Sequence, residues 1–304
     1  MIRIQFGWSL PGGPRNNITR TSFLAATKRG LDLINGHFDS AWLTDHLQFE
    51  NRPILEGWTT LTYLAALYPH LNFGHAVLCQ SFRNPALLAK MAATLQYMSE
   101  GRFILGIGAG WKEDEYRAYG YPFPGPRTRI DELEETLQII NALWNDERAT
   151  VRGKHYQVVD AYCEPKPDPR PVVMVGGSKP RMLSLIARYA DWWSVSWTGL
   201  ESYREQVNIC RQACAEINRD MKTLRQTWFG GCVCAPTETM VRELNAVSIS
   251  PENAFVGTPD QIVEQMRPFI DLGVDYFMLN CGSFPDLTTL EMLTDKVLPT
   301  LNGL

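Results

Sequence analysis

The chain has no hydrophobic run near the ~20 residues that a membrane-spanning helix needs, and its first residues show no charged-then-apolar signal pattern. It has little excess charge of either sign: 29 Lys and Arg stand against 33 Asp and Glu, a net charge of −4. No basic field is available for nucleic acid, so we expect neither a membrane nor a nucleic-acid partner. The seven scattered cysteines suggest no disulfide framework and favour a cytoplasmic location.

The common hydrolase and metal motifs are also missing. No Gly-x-Ser-x-Gly elbow and no His-Glu-x-x-His pair occur. Cys232-x-Cys234 and Cys210-x-x-x-Cys214 lack the C-x-x-C spacing of a zinc knuckle, so buried core cysteines are the favoured interpretation. We therefore predict no metal site, and a metal-dependent barrel hydrolase is disfavoured.

Short apolar runs alternate with longer helical patterns along the whole chain, which is typical of a parallel sheet covered by helices. The predicted strands are Ile2–Trp8, Ser40–Thr44, Asn72–Cys79, Phe103–Ile107, Val172–Val175, Asp191–Ser196, Trp228–Val233 and Asp275–Asn280. Eight strands and 304 residues suit the α/β class, as a single (β/α)8 TIM barrel over residues 1–304 with an insertion, Lys154–Pro171, before strand 5. An open, doubly wound sheet remains an alternative.

Helix-start signals support this division. Pro85 stands at a first-turn position before an apolar stripe. The segment Arg129–Leu143 is acidic early and carries apolar residues at helical spacing. Thr258 and Pro259 resemble an N-cap followed by the first helical residue, with an end predicted near Leu272-Gly273.

Glycine and aromatic residues concentrate where the predicted strands end, which is where TIM barrels hold their active sites. Glycine lets the backbone approach a flat ligand, and aromatic rings give it apolar walls, although both residue types also occur in ordinary barrel rims. Gly106-x-Gly108-x-Gly110 is not a dinucleotide fingerprint, because Trp111 stands where that motif needs glycine. We interpret these glycines as close packing against a ring system.

Gly176-Gly177-Ser178 follows a strand and precedes a helix that is predicted from about Pro180. Free backbone N–H groups at such a helix start favour a phosphate, and Lys179 and Arg181 add positive charge. A Gly-Gly-Ser turn is also a common linker, which is the alternative interpretation of this motif.

Asp45-His46 is an acid–imidazole pair at the end of strand 2. Histidine titrates near neutral pH and suits proton transfer beside a redox ring, while a hydrogen-bonded rim histidine is an equally good interpretation. Neighbouring strand residues point to opposite sides, so we expect one of the two to face a pocket. His75 lies within strand 3 and is interpreted as structural.

These motifs together resemble the luciferase-like monooxygenase superfamily. The resemblance rests on residues 81–95 and 99–111, supported by Trp42–His46, Glu113-x-Glu-Tyr, Val175–Ser178, Ala190–Trp193 and Val256–Gln261. Gly110-Trp111 and Ala161–Pro167 are similar to a branch described as F420-dependent oxidoreductases. The resemblance implies a barrel that is usually dimeric and holds a deazaflavin, coenzyme F420, or else FMN.

The resemblance also implies roles for particular residues. It implies a cis peptide at Ala76–Val77 and, around the cofactor, these placements: Asp45 and His46 beside the ring, Ala76 and Val77 beneath it, Gly108 and Ala109 along the ribityl chain, and Gly176, Gly177 and Ser178 at the phosphate. In the family's sugar-phosphate dehydrogenases a glutamate follows the glycine run and acts as an acid. Trp111 occupies that position here, which puts a sugar-phosphate substrate in doubt.

We therefore predict F420-dependent hydride transfer to or from a small organic substrate. His46 is the candidate for proton transfer with Asp45 beside it, and Trp8, Trp111 and Trp197 are expected to line an apolar substrate pocket. An FMN-dependent two-component monooxygenase and a non-catalytic flavin-binding protein remain alternatives.

Overall fold

Eight parallel strands close into a barrel in the computed structural model, which describes residues 3–15, 18–245, 252–282 and 284–303. In chain order the strands are β1 Gln5–Ser9, β2 Ser40–Leu43, β3 Asn72–His75, β4 Leu78–Cys79, β5 Phe103–Gly108, β6 Ala149–Arg152, β7 Gln157–Ala161, β8 Val172–Gly176, β9 Trp192–Ser196, β10 Arg225–Cys234, β11 Ala254–Gly257 and β12 Val274–Cys281. The ring runs β1-β2-β3-β5-β8-β9-β10-β12 and returns to β1. The predicted TIM barrel is confirmed, and the open sheet was wrong.

The predicted strands match the barrel strands, with differences that have local causes. The third strand is interrupted at Ala76–Val77, and β4 continues it by pairing with β5. The alternation also missed β11, which pairs with β10 outside the ring. The insertion before β8 includes an antiparallel hairpin, β6–β7, that starts before Lys154. Ile2, the first residue of the first predicted strand, lies outside the described residues.

Helices separate the strands and cover the barrel. They are α1 Arg20–Ile34, α2 Gly57–Leu67, α3 Pro85–Met98, α4 Glu113–Ala118, α5 Pro126–Asn145, α6 Pro180–Tyr189, α7 Leu200–Glu216, α8 Glu238–Leu244, α9 Pro259–Asp271, α10 Thr288–Met292 and α11 Leu298–Asn302, the last two joined by a π-helical turn, Leu293–Val297. Pro85 is the first residue of α3, and Asn84 caps it by accepting from two backbone N–H groups. Thr258 and Gln261 form a capping box at α9, as that N-cap prediction requires.

Apolar side chains form two cores, one inside the barrel and one between strands and helices. The interior set is Trp42, Ala76, Ile104, Met174, Phe229, Tyr276 and Met278. The outer layer is much larger and contains the alternate residues of the same strands, such as Phe6, Leu43 and Phe277. This division follows from the two-residue period of a strand.

A polar network closes the barrel at the amino ends of the strands. The Tyr276 hydroxyl donates to Asp39 Oδ2 at 2.7 Å and also contacts Ser40 Oγ. Arg225 Nε donates to Asp275 Oδ1 at 2.7 Å, and its guanidinium carbon lies 4.7 Å from the centre of the Tyr276 ring. These polar groups are paired with one another, so this end of the barrel is a filled, structural end.

All seven cysteines are free and buried. Within the described ranges, no helix is long and apolar enough to cross a bilayer. The same ranges contain no group of three or more His, Cys, Asp or Glu side chains placed to hold a metal ion.

Candidate active site

Asp45 lies two residues after the end of β2, and its side chain is fully buried. Arg83 donates to both carboxylate oxygens, at 2.8 and 3.0 Å, and the Cys79 backbone N–H donates to Oδ2 at 2.9 Å. Three hydrogen bonds thus tie the end of β2 to the end of β4 and the turn after it. Asp45 is held as a structural anion and does not open into the mouth, so its predicted catalytic placement is corrected.

Arg83 extends this cluster to the start of the next helix. Its second amino group contacts Glu56 Oε1 at 2.6 Å, and Glu56 caps α2 by accepting from the Trp58 and Thr59 backbone N–H groups. Burial by itself would lower the pKa of Arg83, but hydrogen bonds and charge from Asp45 and Glu56 raise it overall. The guanidinium therefore stays charged, and the loop after β2 is rigidly anchored.

His46, the neighbour of Asp45, faces the other way. Its side chain is 15% exposed, and Nδ1 lies 2.6 Å from Oε1 of Glu115, a fully buried residue of α4. Glu115 Oε2 accepts the Leu47 backbone N–H at 3.0 Å. Nε2 of His46 has no hydrogen-bond partner among the described residues and is not enclosed. Of the pair, His46 is the residue with a partly exposed side chain, and the expectation that one of the two faces a pocket stays a prediction that applies to His46.

Aromatic rings surround the imidazole. Phe49 meets it edge-on with ring centres 4.9 Å apart, and Trp111 does so at 6.1 Å. The Trp111 indole is 65% exposed, which is unusual for a large apolar side chain and typical of a ligand-binding surface. Trp111 thus lies beside His46, the proton-transfer candidate, and its place in a substrate pocket stays a prediction.

The other two predicted tryptophans separate. Trp197, just after β9, is 43% exposed, has a left-handed backbone (φ 51°), and its ring centre lies 6.1 Å from that of Phe229 of the barrel interior. A bulky residue in this region is uncommon and strained, and such residues concentrate at functional sites. Trp8 is buried and packs against Gly30 of α1. Its predicted place in the pocket is wrong. Alternate residues of β1 face opposite sides of the barrel wall, and Trp8 faces outward, toward the helix layer.

The Ala76–Val77 peptide bond is cis, as the resemblance implied. The half-buried Val77 side chain fits between two glycines: a Cβ on Gly108 would lie 2.8 Å from Val77 Cγ2, and one on Gly176 would lie 3.1 Å from Cγ1. A Cβ on Gly106 or Gly110 would meet protein atoms as well, at His75 and Tyr116. The glycine run therefore accommodates neighbouring chain segments directly, which corrects its interpretation as packing against a ring.

Beside Val77, backbone lies open at the carboxyl ends of adjacent strands. Ala109, Gly176, Gly177 and Ser178 are half-exposed, whereas Ala76 and Gly108 are buried beneath them. No side chain caps α6, which starts two residues after Ser178. Gly177 N–H is used by Ser194 O at 3.0 Å, so the free N–H groups belong to the first turn of α6. Arg181 is paired with Asp131, whereas the exposed Lys179 forms no ion pair with any residue that the structure describes and is available to a ligand here.

Two buried groups near the mouth are structural. His75 stacks on Trp58 with ring centres 5.5 Å apart, and burial lowers its pKa to about 4, so it is neutral at pH 7. Burial raises the pKa of Cys79 to about 11, so its thiol, which contacts the Tyr116 hydroxyl, is not an activated nucleophile.

Sequence reasoning missed Glu115 and Phe49 as members of the site. Glu115 appeared only as part of the Glu113-x-Glu-Tyr motif, and its acidic neighbours on α4 concealed it. A helix of six residues exposes Glu113 and Asp114 and turns Glu115 inward. That periodicity was a usable signal, whereas nothing in the sequence placed Phe49 against His46.

Comparison with known proteins gives this geometry a family. A family model described as luciferase-like monooxygenase matches residues 4–255. An F420-dependent glucose-6-phosphate dehydrogenase of Amycolatopsis mediterranei is 25% identical, with 88% of this chain and 91% of the relative covered.

Solved structures share the barrel. An F420-dependent secondary alcohol dehydrogenase, in complex with an F420–acetone adduct, superposes with a TM-score of 0.84 at 19% identity, covering 98% of this chain and 99% of that one. The oxygenating constituent of 3,6-diketocamphane monooxygenase from Pseudomonas putida, a type II Baeyer–Villiger monooxygenase in complex with FMN, has a TM-score of 0.80 at 17% identity, with 98% and 99% covered. At these identities the structures establish the fold.

The chain belongs to the luciferase-like monooxygenase family, since the family model covers most of its length. The predicted family and the prediction of an oxidoreductase enzyme are thereby confirmed.

Proposed function

We propose that the barrel mouth exchanges a hydride and a proton with a small organic substrate. The protein is an F420-dependent oxidoreductase. This agrees with the F420-dependent relative from Amycolatopsis mediterranei, whose similarity covers 88% of this chain. The observation that carries the proposal is the placement of His46, whose Nδ1 contacts Glu115 while its partly exposed side chain leaves Nε2 without a hydrogen-bond partner among the described residues.

The residues at the mouth fit such a cofactor. The half-exposed backbone at Val77, Ala109 and residues 176–178 offers a surface without bulky side chains, where a flat ring and its chain can lie. The uncapped first turn of α6, with Lys179 beside it, suits the phosphate. Ala76 and Gly108 support this strip from below, so their role is to shape it.

F420, when bound, supplies a two-electron hydride carrier. His46 Nε2 accepts the hydroxyl proton of a substrate that is oxidised, or returns it to the oxygen in the reverse direction. Asp45 and Arg83 hold the loop that carries His46, and Phe49 and Trp111 keep water from the imidazole face. His46 Nε2 is therefore the atom of this chain that accepts the proton when the substrate is oxidised and donates it in the reverse direction.

We assign an apolar substrate to this site. Trp111 replaces the glutamate of the sugar-phosphate dehydrogenases, and exposed Trp197 adds a second aromatic wall at the same end of the barrel. Such walls favour a small alcohol or ketone with a hydrocarbon body over a phosphorylated sugar.

The test is to titrate the purified protein with F420 and with FMN, following cofactor fluorescence, and then to assay turnover. Secondary alcohols, the matching ketones with reduced cofactor, and glucose 6-phosphate form the substrate panel. We expect F420 binding and turnover of the apolar members.

Three outcomes contradict the proposal. Tight FMN binding with oxygen consumption and no F420 response indicates the two-component monooxygenase. Turnover of glucose 6-phosphate alone overturns the substrate class. Cofactor binding with no turnover across the panel indicates a flavin-binding protein.

The functional unit we propose is a homodimer formed through α2 and α3. These helices expose Tyr63, Leu67, Leu87, Tyr97 and Met98, each more than half exposed. A groove of about 620 Å³ runs between them, with Ala66, Met91 and Leu95 in its lining. A contiguous apolar face of this kind is unusual on a monomer and suits a second copy.

Light scattering after gel filtration should give twice the chain mass, and Leu67→Lys should give a folded monomer. A monomeric unaltered chain overturns the proposed dimer.

We also place the protein in the cytoplasm. Seven free, buried thiols without a disulfide suit a reducing compartment. Fractionation of the native host with an antibody is the direct test, and recovery outside the cytoplasm overturns the placement.

A further inference from the structure

Glu115 joins two loops that come from distant parts of the chain. It lies in α4, after β5, and both of its carboxylate oxygens contact the loop after β2. Its side chain is 1% exposed, whereas the other two acidic residues of α4, Glu113 and Asp114, are exposed. Burying one carboxylate of three calls for a partner that compensates the loss of water.

That partner is an imidazole with its second nitrogen open. An ionised carboxylate only accepts hydrogen bonds, so the short 2.6 Å contact requires His46 Nδ1 to donate. A neutral imidazole then carries its proton on Nδ1 and a lone pair on Nε2. The Leu47 N–H on the other oxygen fixes the carboxylate plane.

The aromatic neighbours restrict the ring further. Phe49 and Trp111 meet the imidazole edge-on, with interplanar angles of 85° and 87°. A ring flip would exchange Nδ1 for carbon at Glu115 and leave a buried carboxylate oxygen without that partner. Ring orientation and proton position are therefore set by the same contact.

We propose that Glu115 is a positioning residue, which holds His46 in the Nδ1–H tautomer and presents Nε2 to the substrate. The inference rests on the proposed function of His46 as the proton acceptor. Carboxylates that orient a histidine in this way favour the productive tautomer and stabilise the imidazolium formed when the proton arrives. The proton itself goes from the substrate hydroxyl to Nε2, and Glu115 accepts no proton.

Glu115→Gln is the informative variant because it keeps the shape and can still accept the Leu47 N–H. Its amide NH₂ then faces Nδ1 as a donor, which favours the opposite tautomer. Glu115→Asp keeps the charge at a shorter reach. Glu113→Gln removes a carboxylate from the same helix, one that is exposed and paired with Arg117, and is the matched control.

The first measurement is ¹⁵N NMR of histidine-labelled protein, which separates protonated from unprotonated ring nitrogens. The chain has five histidines, and the His46 signals are assigned by their loss in His46→Asn. We expect a protonated Nδ1 and unprotonated Nε2 in the unaltered protein and in Glu113→Gln, and the reverse in Glu115→Gln.

The second measurement is steady-state kinetics with F420 and the best alcohol of the panel. We expect kcat to fall by about 10²-fold in Glu115→Gln, with KM and cofactor affinity within about threefold, since only proton transfer is impaired. Glu115→Asp should recover part of kcat, and Glu113→Gln should match the unaltered protein.

An unchanged tautomer in Glu115→Gln overturns the inference. A fall in kcat that comes with a lower melting temperature and a raised KM also overturns it, because general structural damage would then explain the lost activity. The proposed function is tested by a different variant. If His46→Ala turns over normally while the tautomer still follows Glu115, the contact is structural, and the proposed function falls together with the inference that rests on it. If His46→Ala is inactive and Glu115→Gln is fully active, the positioning role alone is wrong.

Discussion

The two ends of this barrel are built from similar residue types and behave in opposite ways. At the amino end, Arg225, Asp275, Tyr276 and Asp39 satisfy one another, so polar groups lock the strands together. At the carboxyl end, Asp45 and Arg83 form a comparable lock, but His46 stands beside it with one ring nitrogen that has no hydrogen-bond partner in the described part of the chain. The candidate active site therefore differs from the amino end by a single polar group that the described residues do not satisfy.

The largest expected effect comes from removing that one group. His46→Ala should lower kcat by about 10²–10⁴-fold because it deletes the proton acceptor. It should also lower the free energy of unfolding by about 1–3 kcal/mol, because the buried Glu115 carboxylate loses its imidazole partner. His70→Ala, at an exposed residue, is the control. Steady-state kinetics and a thermal melt decide it; normal turnover would remove His46 from the mechanism.

His75, on the adjacent strand, offers a contrast, because its burial affects the stability of the fold and not the proposed chemistry. Its pKa is about 4 in the fold against 6.5 when unfolded, so the unfolded chain binds a proton first. Stability is fully present above about pH 6.5, and this group removes about 3 kcal/mol as the pH falls to about 4. Urea unfolding should show a smaller acid loss in His75→Phe; an identical pH dependence would contradict the assignment.

At the amino end the expected effect lies on stability alone. Tyr276→Phe removes the hydroxyl that contacts Ser40 and Asp39, and leaves the half-buried Asp39 carboxylate short of a donor. The free energy of unfolding should fall by about 1–3 kcal/mol. With kcat measured well below the melting temperature, turnover should stay within about twofold; a large loss there would mean that the two ends are coupled.

The smallest effect is expected in the backbone wall of the mouth. Gly108→Ala places a methyl group 2.8 Å from Val77 Cγ2 and pushes the strip on which the cofactor is proposed to lie. An overpacking cost of about 1 kcal/mol should weaken F420 binding by roughly five- to tenfold. Gly125→Ala, whose Cβ meets nothing within 4 Å, is the control. Equal affinities for the two variants would separate Gly108 from the cofactor.

The barrel was predictable because strand and helix periodicities are local, and seven of the eight ring strands were placed within a few residues. The eighth, predicted as Asn72–Cys79, is divided at the cis Ala76–Val77 bond, which only the family resemblance had implied. The site was predictable only in part. Trp8 failed because its direction depends on the register of β1, and Glu115 escaped because its partner is 69 residues away. Such contacts depend on tertiary packing, which local patterns do not encode.

The buried cysteines have a practical consequence. Their thiols are distributed over β4, the insertion, α7, β10 and β12, and burial raises the pKa of Cys210 and of Cys234 to about 12. In the native fold these sulfurs are shielded from alkylating reagents and are protonated at neutral pH. Each becomes reactive only when its own segment opens, so pulsed alkylation read by mass spectrometry gives a map of opening free energies without any engineered label. The chain thus contains its own reporters of local unfolding, and cofactor binding at the mouth should protect Cys79 before it protects Cys210.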